Sequence, residues 1–138
     1  MKAFRLDELE AERAANDGAY LQFLRERNMS VGLYALDAGE LDPQNPHGQD
    51  EVYLVVSGRA SITVGMETTQ VGRGSVVYVP AGTAHKFHHI TEDLRVMVVF
   101  SPPEDETGPG VPPGSLGGDR SGGEDKGFPG ARRPPLRL

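Results

Sequence analysis

Two histidines and one glutamate stand in this sequence at spacings that suit a shared metal ion. His47 and Glu51 lie four residues apart, and His85 follows a segment that contains glycine and proline. Imidazole nitrogen and carboxylate oxygen both bind divalent transition metals, and two imidazoles with one carboxylate leave positions open for a substrate or for O2. Because the chain has no cysteine, any such ion must be held by nitrogen and oxygen donors.

These residues share a face if the chain around them is extended. Side chains of a β-strand alternate between its two faces, so every second residue can point into a barrel. Two sets of residues have the required parity: Asn45, His47, Glu51, Tyr53 and Val55 in the first stretch, and His85, Phe87 and His89 in the second. Each stretch can therefore direct an imidazole toward Glu51.

The rest of the chain predicts the short strands that must position these side chains. Runs rich in Val, Ile and Tyr alternate with turns that contain Gly or Pro, which is typical of a β-sandwich or barrel. The predicted strands cover residues 20–24, 30–36, 51–57, 60–64, 68–71, 75–79, 86–90 and 94–100. A short helix over 4–15 precedes them, with Asp7 and Glu10 at the spacing of a capping box. No connection after residue 20 is long enough for a crossover helix, which excludes parallel βαβ units.

The two stretches resemble the paired motifs of the cupin family. The matching residues are Gly39, His47, Glu51 and Gly58 in the first motif, and Gly74, Pro80, Gly82 and His85 in the second. The resemblance covers residues 39–89 and implies an all-β cupin barrel, a double-stranded β-helix or jelly roll, with a short N-terminal helix. It also implies that His47, Glu51 and His85 hold one divalent transition metal ion, with Fe, Mn, Zn and Ni as candidates.

Two positions depart from the family pattern. Asn45 stands where the first motif has its leading histidine, and His89 stands where the second motif ends in asparagine. Asn45 or Gln44 is a candidate for the fourth ligand, and either would be a weaker donor than histidine. An imidazole at position 89 can bind the ion, pair with a carboxylate or only fill space.

The cupin fold hosts many chemistries, so two functional hypotheses stay open. The first is a non-haem metal-dependent enzyme, dioxygenase-like or an isomerase, that acts on a small-molecule substrate, with His89 or Tyr53 orienting that substrate. The second is a non-catalytic cupin that binds or senses a small ligand; without a metal, the three residues would form a polar network around an organic ligand. The resemblance also implies a homodimer, which would protect open sheet edges.

Composition limits the domain organisation, location and partners. The 138 residues suit one domain. We divide it into a helical segment over 1–18, a barrel over 19–102 and a tail over 103–138. We expect this tail to be disordered, because residues 101–138 contain 9 Gly and 8 Pro. A net charge of -6, with no large cluster of Lys and Arg in residues 1–100, argues against nucleic-acid binding. Without a signal peptide or an apolar run of about 20 residues, we expect a cytoplasmic protein that does not associate with membranes.

Overall fold

The computed structural model describes residues 1–103, so all but the first residue of the predicted tail over 103–138 lies outside the described residues. Within that part of the chain the elements follow in the order α1 (Leu6–Ala15), β1 (Tyr20–Arg25), β2 (Ser30–Leu36), β3 (Asp50–Val64), β4 (Glu67–Gly72), β5 (Val76–Val79) and β6 (His85–Ser101). None of the described residues belongs to a helix that is long and apolar enough to span a membrane.

The strands form one antiparallel sheet with two long strands at its centre. The order is β1-β2-β6-β3-β4, and β5 pairs with the N-terminal part of β3. β3 and β6 pair along nearly their whole length, from Asp50 opposite Ser101 to Val64 opposite His85. The beginning of β3 therefore lies beside the end of β6, and the beginning of β6 lies beside the end of β3.

Each long strand corresponds to two of the predicted strands. The predicted break at 58–59 is wrong, because β3 continues through these residues with only shifts of register against β6. A register shift of this kind moves the inward-facing positions of a strand from odd-numbered to even-numbered residues, or the reverse. The buried positions of β3 are accordingly odd-numbered up to Val55 and even-numbered from Ala60.

The sheet curls back on itself, so that the two ends of β3 approach each other. A straight strand of the 15 residues in β3 would be about 50 Å long. His85 pairs with Val64 at the far end of β3, yet its Nε2 atom lies 3.3 Å from Glu51 Oε2 near the beginning of that strand. Only a strongly curved sheet allows this contact. Its enclosed face carries the core, which includes Tyr34, Leu36, Tyr53, Val55, Ile62, Phe87, Leu94, Val96, Val98 and Phe100.

The N-terminal helix is attached to the sheet by charged contacts. It begins at Leu6, and its N-cap residue, Arg5, makes no side-chain capping hydrogen bond, so the predicted capping box is wrong. Glu10 instead accepts hydrogen bonds from Arg13, at 2.7 Å, and from Arg95 of β6, at 3.1 Å. Burial raises the pKa of Glu10, but the hydrogen bonds and charges of the two arginines outweigh burial and hold that pKa below its usual value.

Candidate metal centre

Glu51 is a carboxylate at the beginning of β3, on the enclosed side of the curved sheet. Its partners in the sheet are Val79 of β5 and Phe100 of β6, and only 1% of its surface is exposed. A carboxylate removed from water to this extent needs a compensating positive charge nearby. The groups around Glu51 therefore determine what the site can bind.

His85 is the first residue of β6, and its Nε2 atom faces Glu51. The hydrogen bond made by the other ring nitrogen, Nδ1, determines whether Nε2 of the neutral ring is a donor or an acceptor. Its Nδ1 lies 2.8 Å from the backbone oxygen of Thr83. A carbonyl only accepts, so Nδ1 donates. In the neutral imidazole, Nε2 then directs a lone pair at Glu51 Oε2, 3.3 Å away. A cation between these two groups, either a proton or a metal ion, converts their repulsion into attraction.

His47 reaches the same carboxylate from the loop that precedes β3. Its backbone oxygen accepts a hydrogen bond of 2.6 Å from Gly82 N, which fastens this loop to the turn before β6. The ring packs edge-on against Phe100, with centroids 5.3 Å apart. Its Nε2 lies 3.8 Å from Glu51 Oε2. The second imidazole is thus positioned by a loop and an aromatic contact.

These three residues form a compact set of possible metal donors, called the donor set below. Their ligand atoms all lie within 4.8 Å of one another, and the exposed fractions of His47 and His85 are only 7% and 5%. Ligands bound at about 2.0–2.2 Å to one ion lie roughly 3.0–3.5 Å apart. The separation of 3.3 Å between Glu51 and His85 is in this range, that of 3.8 Å between Glu51 and His47 exceeds it, and no pair is more than 4.8 Å apart. The donor types, two imidazoles and one carboxylate, are those that Fe, Mn, Zn and Ni accept. His47, Glu51 and His85 therefore make a buried group that could hold such an ion.

Comparison with known proteins identifies the family to which this fold belongs. The sequence matches the cupin domain family over residues 32–100, which is half of the chain. The chain belongs to the cupin family. An uncharacterized protein of Streptomyces coelicolor is 89% identical to this cupin over 104 residues, which make up 75% of this chain and 99% of that protein.

Solved structures show the same architecture. A protein from Thermus thermophilus is similar over 75% of this cupin and 99% of its own chain, with 26% identity and a TM-score of 0.64. An RmlC-like cupin with a double-stranded β-helix fold, from Methanocaldococcus jannaschii, covers 60% of this chain and 78% of its own, with 20% identity and a TM-score of 0.55. The latter likeness concerns the fold alone, and it confirms the predicted cupin architecture.

The two candidates for a fourth ligand differ in where the structure places them. Asn45, at the family's histidine position, has an exposed side chain. Gln44 is buried, and its Oε1 lies 3.4 Å from His47 Nε2. Residues 41–49 do not form a strand, so the alternation assumed in the sequence analysis does not apply to Asn45.

His89 does not point into the barrel, and its predicted orientation is wrong. Its side chain is exposed, and its Nδ1 lies 2.6 Å from His88 Nδ1. The backbone of His89 has a φ of 50°, and the pairing of β6 with β3 becomes irregular directly after His88. This irregularity reverses the alternation, so Ile90 takes the inward position.

Tyr53, the other residue expected to orient a substrate, lies beside the donor set. Its side chain is completely buried, and its ring centroid is 6.2 Å from that of His85. Its hydroxyl donates a hydrogen bond of 3.2 Å to Gln44 Oε1. Of the two candidate residues, therefore, Tyr53 is the one that adjoins the site.

A buried carboxylate next to the site, Asp42, was not singled out by the sequence analysis. Only 2% of it is exposed, and it accepts hydrogen bonds from Tyr34 OH at 2.7 Å, Gln44 Nε2 at 3.0 Å and Phe87 N at 2.9 Å. Aspartate in a polar loop is ordinarily solvated. The sequence around Asp42, which is polar and contains prolines, carries no signal of this burial.

Proposed function

We propose that this cupin binds one divalent transition metal ion through His47, Glu51 and His85, and that the ion accepts a small molecule at its open positions. The observation that carries the proposal is the orientation of His85. The carbonyl of Thr83 makes Nδ1 the donor and leaves Nε2 directed at a fully buried carboxylate. Metal-binding histidines characteristically donate their other ring nitrogen in this way. The imidazole of His47 completes a set that favours a metal ion over a single shared proton.

We propose dioxygenase-like oxygenation as the reaction at this site. A bound ion supplies Lewis-acid chemistry and, in the case of Fe or Mn, one-electron redox chemistry. The described residues of the interior offer little other reactive chemistry, because Asp42 already accepts several hydrogen bonds and the Tyr53 hydroxyl donates to Gln44. Reactions that depend on a separate protein acid or base are therefore disfavoured. The apolar and aromatic side chains around the donors exclude water and orient the substrate.

A non-catalytic cupin that binds or senses a small ligand is the second candidate function. The exposed position of His89 favours this second function. Of the two residues that were expected to orient a substrate, only Tyr53 then remains beside the donor set. The hydroxyl of Tyr53 and the amide of Gln44 can recognise a ligand by hydrogen bonding without reacting with it.

Oxygen uptake by Fe(II)-loaded protein distinguishes the two functions. We would measure O2 consumption with a panel of diols, thiols and aromatic acids. A catalytic site should show uptake with at least one compound, accompanied by product, and no uptake after His85→Ala substitution. Thermal stabilisation by a compound that causes no uptake would favour the binding module. Failure of the protein to bind Fe(II), Mn(II), Zn(II) or Ni(II) would contradict the metal-dependent enzyme and leave only a metal-free cupin that binds an organic ligand.

We also propose that the chain forms a homodimer through the outer face of β3 and β5. Four large apolar side chains of this face are exposed in the single chain: Val52, Leu54, Val76 and Tyr78. They are adjacent, because Val52 pairs with Tyr78 and Leu54 pairs with Val76. Contact with a second copy would remove this apolar surface from water, and apolar burial is the main favourable term in association.

Substitution of Leu54 by glutamate is expected to shift this dimer to monomer, because a charge within an apolar interface stays unpaired. Met66→Glu is the matched control, since Met66 is fully exposed in the turn between β3 and β4. Size-exclusion chromatography with light scattering measures the mass of each variant. A monomeric unsubstituted protein at micromolar concentration, or a Leu54→Glu dimer, would contradict the proposal.

A further inference from the structure

Gln44 presents an oxygen atom to the donor set. Its Oε1 lies 3.4 Å from His47 Nε2 and accepts a hydrogen bond of 3.2 Å from Tyr53 OH. An amide oxygen has two lone pairs, so it can accept from Tyr53 and bind an ion at the same time. The separation from His47 Nε2 falls within the roughly 3.0–3.5 Å expected for two ligands of one metal ion.

Asp42 determines which end of the Gln44 amide faces the donor set. The two ends of an amide are similar in shape, so hydrogen bonds decide its orientation. Gln44 Nε2 donates to Asp42 Oδ2 at 3.0 Å. The reverse orientation would place the amide oxygen against a carboxylate oxygen, which brings two acceptors together. The Asp42 carboxylate is itself fixed by donors from two strands, Tyr34 OH of β2 and Phe87 N of β6.

From this geometry we propose that Gln44 is the fourth protein ligand of the metal ion and that Asp42 is the positioning residue that turns the amide oxygen toward it. The inference rests on the proposed metal centre. It assigns to Gln44 the role that the family pattern gives to position 45, where the exposed side chain of Asn45 is poorly placed. A neutral amide oxygen is a weaker donor than imidazole. An incoming small molecule can therefore displace Gln44 and gain one more coordination position.

Cobalt(II) is the probe for this proposal, because its visible absorption reports the number and type of ligands. Purified apoprotein is titrated with Co(II) in competition with a chromophoric chelator, for the unsubstituted protein and for Gln44→Ala, Asn45→Ala and His85→Ala. We expect Gln44→Ala to weaken Co(II) binding by about tenfold and to change the shape of the visible bands. Asn45→Ala, the neighbouring amide, should leave both unchanged.

A second variant tests the positioning role of Asp42. In Asp42→Asn the new side chain can donate as well as accept, so the Gln44 amide is no longer held in one orientation. We expect weaker Co(II) binding, with bands shifted in the same direction as in Gln44→Ala. The thermal unfolding of each apoprotein separates this effect from a loss of folding. A merely structural role would lower apoprotein stability and leave the Co(II) spectrum unaltered.

The results distinguish this inference from the proposed function on which it rests. If Gln44→Ala binds Co(II) as tightly as the unsubstituted protein and with the same spectrum, while His85→Ala has lost binding, Gln44 is not a ligand although the metal centre exists. If the unsubstituted protein itself does not bind Co(II), the metal centre is refuted, and the role of Gln44 is refuted with it.

Discussion

Purified His85→Ala protein is expected to contain less than about one tenth of the metal found in the unsubstituted protein, which should hold about one ion per chain. The substitution removes one of three donors. It also leaves the buried carboxylate of Glu51 with a single imidazole nearby, from His47. Substitution of groups that only support metal ligands weakens affinity by about 10–100-fold, and loss of a ligand should weaken it at least as much. Elemental analysis after growth in medium that contains Fe, Mn, Zn and Ni provides the measurement.

His88→Ala is the matched control for this experiment, because it removes an imidazole from the same strand. His88 bonds to Thr63 Oγ1 at 2.7 Å and is not among the residues of the donor set. Its substitution should leave the metal content unchanged. Removal of metal by a chelator should lower the melting temperature of the unsubstituted and His88→Ala proteins but not that of His85→Ala. Normal metal content in His85→Ala, or no transition metal in any of the three proteins, would contradict the proposed centre.

The sequence correctly predicted which side chains of the candidate site are buried where the chain forms regular strands. Glu51 and Tyr53 alternate along β3 as expected, and both are buried. His85 begins β6 and faces inward together with Phe87. Period-two alternation therefore placed the interior correctly at the beginning of each long strand.

The same reasoning failed at His89 and Asn45, where the backbone is not a regular strand. An irregularity in β6 sends His89 to the outside, and Asn45 lies in a loop. Alternation holds only along a regular strand: an inserted residue reverses the faces beyond it, as at His89, and in a loop, as at Asn45, alternation does not apply. Histidine does not mark such an irregularity in a single sequence, whereas Asn45 followed by Pro46 is typical of a turn or loop.

The contacts of Asp42 could not be predicted, because they join residues that are far apart in the chain. Its partners Tyr34 and Phe87 lie on strands that only the curvature of the sheet brings to the loop of Asp42. A carboxylate among prolines and other polar residues looks like a solvated loop residue. Burial and convergent hydrogen bonds, which distinguish it, are properties of the folded chain.

Gly58 is a position at which an added methyl group should strongly disturb the fold. It lies within β3, where the register against β6 shifts, and has a φ of +97°. A Cβ atom there would lie 2.3 Å from Asp93 O and 2.7 Å from Leu94 Cα. Both atoms belong to the backbone of β6, so they cannot move aside without disturbing the centre of the sheet.

Gly58→Ala is therefore expected to lower the free energy of unfolding by roughly 3–5 kcal/mol, measured by urea denaturation. Gly74→Ala is the matched control, because Gly74 has a φ of +90° but no atom within 4 Å of the place that an added Cβ would take. This control reports backbone strain alone, which should amount to about 1–2 kcal/mol. Equal stability of the two variants would contradict the importance of the close contact with β6.

The same substitution tests how the curvature of the sheet produces the metal centre. β3 is irregular around Gly58, between Glu51 at its beginning and the segment that pairs with His85 at its end. If the close approach of Gly58 to β6 sets the bend, displacement of the strands at this point changes the 3.3 Å separation between Glu51 Oε2 and His85 Nε2. We therefore expect folded Gly58→Ala protein to bind Co(II) more weakly than Gly74→Ala, measured at a temperature where both are native. Unchanged affinity in Gly58→Ala would mean that other contacts hold the two ends of β3 together.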